Sequence, residues 1–322
     1  MLTSPAPPLL RRMAEVPVGD VARALAQDGL WIDLGVATVR VQSDSALFAA
    51  QLQRVYSHFP FAPQGTWADA HLQIVRASGA RRWLRPQVVM RCDGQEPFEP
   101  FDADGPLPLF EWSCNWLLAQ RLNNLLLLHA GAVERDGLAL VLPALPGSGK
   151  STLTAALAHR GWRLMSDEFG ALDPEALLFL PLLKPAALKN QSIQVIRHFA
   201  PEALLGPSFP RTRKGTVAHV GAPPDAVDRR HQSARPGAFV LPRWQEGSAT
   251  FWQPVAEHVL FPALSFHAFN YDVLGASGFS AAVRMAQACP AWQLVYSDLN
   301  EAIACIEAAW PEVLAHHGAV VS

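Results

Sequence analysis

The stretch Ala144-Leu145-Pro146-Gly147-Ser148-Gly149-Lys150-Ser151-Thr152 holds residue types that suit phosphate chemistry. Gly147 and Gly149 can take positive φ and let main-chain N–H groups approach an anion. Successive amides there form a nest, and a helix opening near Ser151 adds the positive end of its dipole. Lys150 has the reach for the β- and γ-phosphates of a nucleotide, and the Ser151 hydroxyl can ligate magnesium. Such a loop needs a strand before it and a helix after it, which LALVLP and STLTAALAHR supply. Ala144 stands in the first glycine position of the pattern, and a small residue passes that turn if its φ is negative. The spacing predicts a nucleotide site over Pro146, Gly147, Ser148, Gly149, Lys150, Ser151 and Thr152.

A carboxylate that holds or orients magnesium is expected at a later strand end. Asp167 and Glu168 end the apolar run WRLMS, 17 residues after Lys150. That interval fits one helix and one turn, so the next strand carries the acid directly. A carboxylate close to both magnesium and an incoming hydroxyl can accept the hydroxyl proton. Asp167 is the candidate base; Ser151, Asp167 and Glu168 are the candidate metal ligands. His129 closes the run LLLLH, 21 residues before Lys150. A turn at Asp136-Gly137 folds it back toward the loop, where it can pair with Asp167 or touch the nucleotide. Lys184, Lys189 and Lys214 are possible phosphate contacts. Lys189 and Lys214 are preferred because each borders a polar or glycine-containing turn. No histidine pair has metalloprotease spacing, and no Ser or Cys sits in a nucleophile elbow.

These groups need elements to carry them. Residues 1–20 are expected to form an extended arm. GVATVRVQSD (35–44) alternates like a strand, with Ala37, Val39 and Val41 on one side. SALFAAQLQRVYSHF (45–59) has helical spacing through Leu47, Leu52, Val55 and Phe59, with Ser45 as N-cap. Residues 68–77 and 85–94 read as strands, and 96–110 as a connection. A helix is expected over 111–125, packing through Trp112, Trp116, Leu117 and Leu122. Asp136-Gly137 between two apolar runs is a hairpin signal. After the loop helix, which stops at Gly161, the proline-rich stretch 174–262 resists assignment apart from a helix at 192–201. A helix (FSAAVRMAQACP), a strand (AWQLVYSD) and a helix opened by Asp298, with Glu301 in capping-box spacing, complete the chain.

Half of the 322 residues are hydrophobic and 17% are charged, which supports a sizeable core. The net charge of −2, without a basic run, gives non-specific nucleic-acid binding little support. Cys92, Cys114, Cys289 and Cys305 have no zinc or CxxC spacing and read as reduced core thiols. No segment is apolar enough for a signal peptide or a bilayer span, so a soluble, cytoplasmic protein is expected.

Together these pieces resemble the HPr kinase/phosphorylase family, bacterial serine protein kinases with a phosphate loop. The residues that carry the likeness are His129 in LLLHAGAVERDGLALVLP, then LPGSGKST, then RGWRLMSDE, over 125–172. The whole chain is more similar to the HPr kinase-related "kinase A" group, through LKNQSIQVIRHFAP (188–201) and RKGTVAHV (213–220). The resemblance implies an α/β fold, a P-loop (HPr kinase/PEP carboxykinase-like) mixed sheet with flanking helices over 106–322. A small α+β region over 1–105 precedes it. It implies ATP and Mg2+ as cofactors, Asp167 as catalytic base supported by His129, and phosphate and magnesium roles for Lys150 and Ser151. Glu168 stands where the family has a second aspartate. The family's later arginine-glycine-leucine-glycine stretch is not recognisable here, so neither phosphorylase activity nor HPr as substrate follows. Proteins of this kind are associated with peptide or surface-polymer biosynthesis and some relatives phosphorylate peptides, so the expected acceptor is a serine of a peptide or small protein, with a homo-oligomer possible. The alternatives are a kinase of a sugar or lipid precursor and a nucleotide-binding regulator without catalysis.

Overall fold

The computed structural model describes residues 11–65, 67–78 and 86–318. Residues 11–20 form a 3-10 turn, Met13–Glu15, and the start of α1 (Val18–Ala26), not an extended arm. Met13 is buried and plugs the core, which is why this segment folds back; the rest of the expected arm lies outside the described residues. There follow β1 (Leu30–Asp33), β2 (Thr38–Gln42), α2 (Ala46–Val55), β3 (Ala70–Arg76), β4 (Gln87–Arg91) and β5 (Phe101–Asp102). They make a five-stranded sheet in sequence order, with β2 and β3 parallel across the α2 crossover. Ala37, Val39 and Val41 are buried, in the alternation expected of a half-buried strand. Ser45 caps α2 by accepting from the Phe48 N–H at 3.2 Å. Leu47, expected on the buried face of α2, is 48% exposed. Phe48 takes that place, because it lies one turn before Leu52 on the same stripe.

α3 (Pro106–Arg121) starts within the stretch expected to be a connection. Pro106 takes the first helical position, where its missing N–H costs nothing. The helix packs on β3 and β4 through buried Phe110, Cys114, Leu117 and Leu118. Trp112 and Trp116 are half-buried and close over Phe98 and Phe101.

The larger part is a mixed α/β unit. It contains β6 (Leu126–Arg135), β7 (Leu138–Pro143), α4 (Lys150–Ala158), β8 (Arg163–Ser166), β9 (Phe169–Asp173) and β10 (Leu178–Leu180). Next come β11 (Ala186–Lys189), α5 (Gln191–Phe199), β12 (Phe209–Thr212), β13 (Gly215–Val220) and α6 (Pro224–Asp228). The chain ends with β14 (Arg235–Trp244), β15 (Phe251–Pro254), α7 (Glu257–His267), α8 (Tyr271–Leu274), α9 (Ala276–Ala288), β16 (Ala291–Tyr296) and α10 (Leu299–His316). Eight strands form one sheet in the order β10-β9-β6-β7-β14-β16-β15, with β8 also on β6. β7, β14 and β16 run parallel; β6 and β7 are an antiparallel hairpin. Its turn residues Asp136 and Gly137 both have positive φ, 57° and 77°, as a type I′ turn requires. β11, β13 and β12 make a separate antiparallel sheet.

Helices cover the large sheet on both faces, so β7 is buried along its whole length and reads as an unbroken apolar run. Leu138, Leu140 and Leu142 face a core shared with α4 and α10; Ala139 and Val141 face the core under α7 and α9. The first of these cores extends to Met13 and Phe48 and is continuous across both sheets. A buried polar chain crosses the same junction. The Tyr56 hydroxyl donates to Glu111 Oε1 at 2.6 Å, and Lys184 Nζ donates to Glu111 Oε2 at 3.0 Å. Asp298 caps α10 as expected, accepting from the Asn300 and Glu301 N–H groups, but the Glu301 carboxylate accepts from Thr250. All four cysteines are free thiols. Among the described residues, no helix is long and apolar enough to cross a membrane.

Gly131 of β6 lets α4 approach the sheet. A Cβ there would meet Thr154 Oγ1 at 2.1 Å. Gly131→Ala is expected to destabilise the fold by about 1–3 kcal/mol through overpacking. The check is the urea midpoint, and adding Thr154→Ala should recover part of the loss.

Candidate functional site

The hairpin that ends in β7 delivers the glycine-containing loop to one edge of the large sheet. Gly147 and Gly149 have φ of 90° and 85°, the left-handed region that favours glycine. Gly149 is the N-cap of α4, and Lys150 is its first residue. Pro146 and Gly147 are exposed, Ser148, Ser151 and Thr152 half-buried. The loop is braced from the neighbouring strands. The Trp244 N–H donates to the Ser148 carbonyl at 2.8 Å, and the Tyr296 hydroxyl donates to the Gly149 carbonyl at 3.1 Å. A Cβ at Gly149 would strike Tyr296 Oη at 2.4 Å, so glycine is required there for space as well as for φ.

Asp167 and Glu168 fall between β8 and β9, both of which pair with β6. The two acids interrupt what is otherwise one long antiparallel partner of β6. The Ser166 hydroxyl accepts from the Glu168 and Phe169 N–H groups and shapes the interruption. Lys150 reaches across and donates from Nζ to the main-chain carbonyl of Asp167 at 2.8 Å. The Asp167 carboxyl is buried, and its Oδ2 accepts from the Ala187 N–H of β11 at 3.1 Å. Its Oδ1 has no hydrogen-bond partner. Burial raises the Asp167 pKa above the ordinary carboxylate value, with Glu168 adding to the rise. Lys150, the Ala187 N–H and the Ser151 side chain pull the other way without cancelling it. Ser151 therefore acts on this carboxyl, although its hydroxyl does not close a hydrogen bond to Oδ1.

His129 is brought to this edge by the hairpin, but its partner is Glu168 and not Asp167. Nε2 lies 3.8 Å from Glu168 Oε1. Burial opposes ionisation of Glu168, yet Lys150, His129, Lys184 and Lys214 together hold its carboxyl below the usual range. Lys189 and Lys214 are also gathered here, by the small sheet. Lys189 ends β11, and Lys214 sits in the turn between β12 and β13. Asn190 joins the two turns, accepting from the Thr216 N–H at 3.1 Å. Lys214 is exposed as a residue, but its ammonium tucks over the Trp112 ring at 5.3 Å. Burial and the Lys189 charge lower the Lys214 pKa, and Glu168 opposes them. Lys184 is not available to an anion, because it is buried in its ion pair with Glu111.

His267, Phe269, Trp244 and Tyr296 complete the surroundings and have no signal in the sequence. The His267 ring lies 6.2 Å from His129, and Phe269 packs edge-on to His129 at 5.6 Å. Their presence follows from the antiparallel bridge between Leu128 and Ala268, a contact between distant segments. Fit to magnesium rests on an unpartnered Asp167 oxygen, the nearby Ser151 hydroxyl and Glu168. Among the described residues no cluster of three or more His, Cys, Asp or Glu side chains could hold a metal alone. Magnesium does not need one, since it is commonly bound through one or two carboxylates and the substrate's phosphates.

The His129 pKa is drawn from 6.5 down to about 4, by burial first and then by Lys150, with Glu168 opposing. The unfolded chain therefore takes up this proton at a pH where the folded site rejects it. Stability contributed at His129 is present above pH 6.5 and is lost as pH falls toward about 4. His129→Gln is expected to flatten that part of the stability profile, read from urea midpoints across this range. An unchanged slope would place the acid sensitivity at other histidines whose pKa burial lowers, first among them His219, which is buried, has no partner at Nδ1 and is pushed down to about 4.

With this arrangement in view, no protein-family model matches the chain, and no curated protein sequence matches it.

Proposed function

We propose that this protein is a magnesium- and ATP-dependent phosphotransferase of the P-loop kind, which moves the γ-phosphoryl group to a hydroxyl. The acceptor we favour is a serine of a peptide or small protein. The observation that carries the reading is the contact between the loop lysine and the acidic pair: Lys150 Nζ donates to the Asp167 carbonyl, beside an Asp167 oxygen with no partner.

Phosphoryl transfer asks the protein mainly for positioning and for charge stabilisation. The 147–152 amides and Lys150 would cradle the β- and γ-phosphates, and Lys189 and Lys214 face the same region from the small sheet. Ser151, Asp167 and Glu168 would hold magnesium, which when bound neutralises charge developing on the phosphates. Asp167 would accept the hydroxyl proton at Oδ1. Burial raises its pKa in the metal-free protein, which strengthens it as a base, and magnesium would work against that rise. Neutral His129 would stand beside Glu168 without adding a competing charge.

The test is incubation with γ-labelled ATP, magnesium and a panel of serine-containing peptides. Label recovered on a peptide hydroxyl is the expected result. Label that remains on intact ATP with every acceptor, while ATP binds, would reduce the protein to a nucleotide-binding regulator.

A further inference from the structure

We propose that Trp244 is the platform on which the base of the bound nucleotide stacks, a reading that rests on the nucleotide-binding role given above to the loop. The loop leaves β7 at its carboxyl end, and β14 and β16 run parallel to β7 and finish at the same edge of the sheet. Ligands of such sheets lie outside the carboxyl ends of the parallel strands. The acidic pair stands on one flank of β7, on the β6 side, so the terminal phosphate faces that way. The rest of the nucleotide then extends over the other flank, where β14 ends in Trp244.

Trp244 meets the loop directly. Its N–H binds the Ser148 carbonyl, and its Cβ lies 2.8 Å from where a Cβ on Gly149 would be. Tyr296 is its register partner on β16 and lies below the same glycine. The two aromatic residues are used differently. Tyr296 is buried and its hydroxyl is committed to the loop, whereas Trp244 is 40% exposed. Among the described residues, the Trp244 indole has no hydrogen-bond or ring partner. The segment behind it is held still. The Gln245 N–H donates to the Tyr296 carbonyl at 2.9 Å, and the Ser297 hydroxyl donates to the Ser248 carbonyl at 2.8 Å. An open indole on a hydrogen-bonded backbone, beside an anion cradle, supplies what a flat base needs. Stacking accepts any base, since each has a π-face, and favours the larger purines. The ligand class is a purine nucleoside triphosphate, with ATP and GTP bound through the same ring contact.

The experiment is calorimetric titration of the parent, Trp244→Ala and Trp244→Phe with ATP, GTP and inorganic tripolyphosphate in the presence of magnesium. Trp244→Ala is expected to weaken ATP and GTP about tenfold and to leave tripolyphosphate within about twofold, with Trp244→Phe recovering most of the loss. Equal losses for tripolyphosphate and ATP would make Trp244 a brace of the loop only and overturn the proposal. So would unchanged ATP binding in Trp244→Ala. A parent that binds tripolyphosphate as tightly as ATP would remove the base contact and leave the phosphate loop standing. A parent that binds neither would end the nucleotide reading, and this proposal with it.

Discussion

Lys150→Met is expected to lower phosphoryl turnover by about 10³-fold and to push nucleotide affinity below detection by calorimetry. The substitution keeps the apolar stem and removes the ammonium, which is buried where the loop meets the acidic pair. That ammonium is the cation of α4's first turn, and it acts on Asp167, Glu168 and His129 alike. Its removal also leaves the Asp167 carbonyl without its donor, at a cost of about 1–3 kcal/mol. Circular dichroism and a urea titration should therefore accompany the kinetics. A folded Lys150→Met protein that retains turnover within tenfold of the parent would show that the loop is not the phosphate site.

Asp167→Asn separates chemistry from binding. The transfer rate should fall by about 10²–10⁴-fold while ATP affinity stays within a few-fold. The local structure should survive, because the asparagine carbonyl oxygen can still accept from the Ala187 N–H. What disappears is the ability of Oδ1 to take a proton. The same residue sets the sign of the pH dependence. Burial raises its pKa in the metal-free protein and bound magnesium would oppose that rise, so the parent's rate should climb with pH along an acid limb as the carboxyl ionises. Residual activity of Asp167→Asn should lack that acid limb. Equal rates for parent and variant would remove Asp167 from the chemistry.

The parts of this site that were legible in the sequence are those held by local rules. Asp136-Gly137 dictates a tight hairpin through its two positive-φ positions, and that hairpin places His129 beside the loop. Gly147, Gly149 and Lys150 announce their geometry because glycine is the residue that takes such φ without strain. The short interval to Asp167 works because β8 follows α4 with a single turn between them. The sequence leaves His129 to pair with Asp167 or to touch the nucleotide; the β6 register sets it opposite Phe169, so the acid beside it is Glu168, and spacing alone cannot resolve which of two adjacent acids lies nearer. Trp244, Tyr296 and His267 were invisible for another reason. They reach the site through pairings between segments far apart in the chain, which leave no local pattern. The stretch 174–262 was opaque because it divides between two sheets: β11, β12 and β13 make the small one, β10, β14 and β15 join the large one, and prolines interrupt the pattern of β12, β14 and β15. Lys184, a possible phosphate contact that the sequence does not prefer, is committed elsewhere. Its neighbours in sequence say nothing of Glu111, which arrives from α3.

The Tyr56–Glu111–Lys184 chain bears on where this polypeptide can be shortened. A fragment beginning after α3 would strand the Lys184 ammonium in an apolar interior with no counter-charge, and it would strip the shared core of Phe48 and Phe110. The half that carries the loop is therefore not expected to fold alone. Denaturation should proceed as one cooperative transition by tryptophan emission and by far-ultraviolet ellipticity together, and excision of the amino-terminal portion should yield insoluble material instead of a folded fragment.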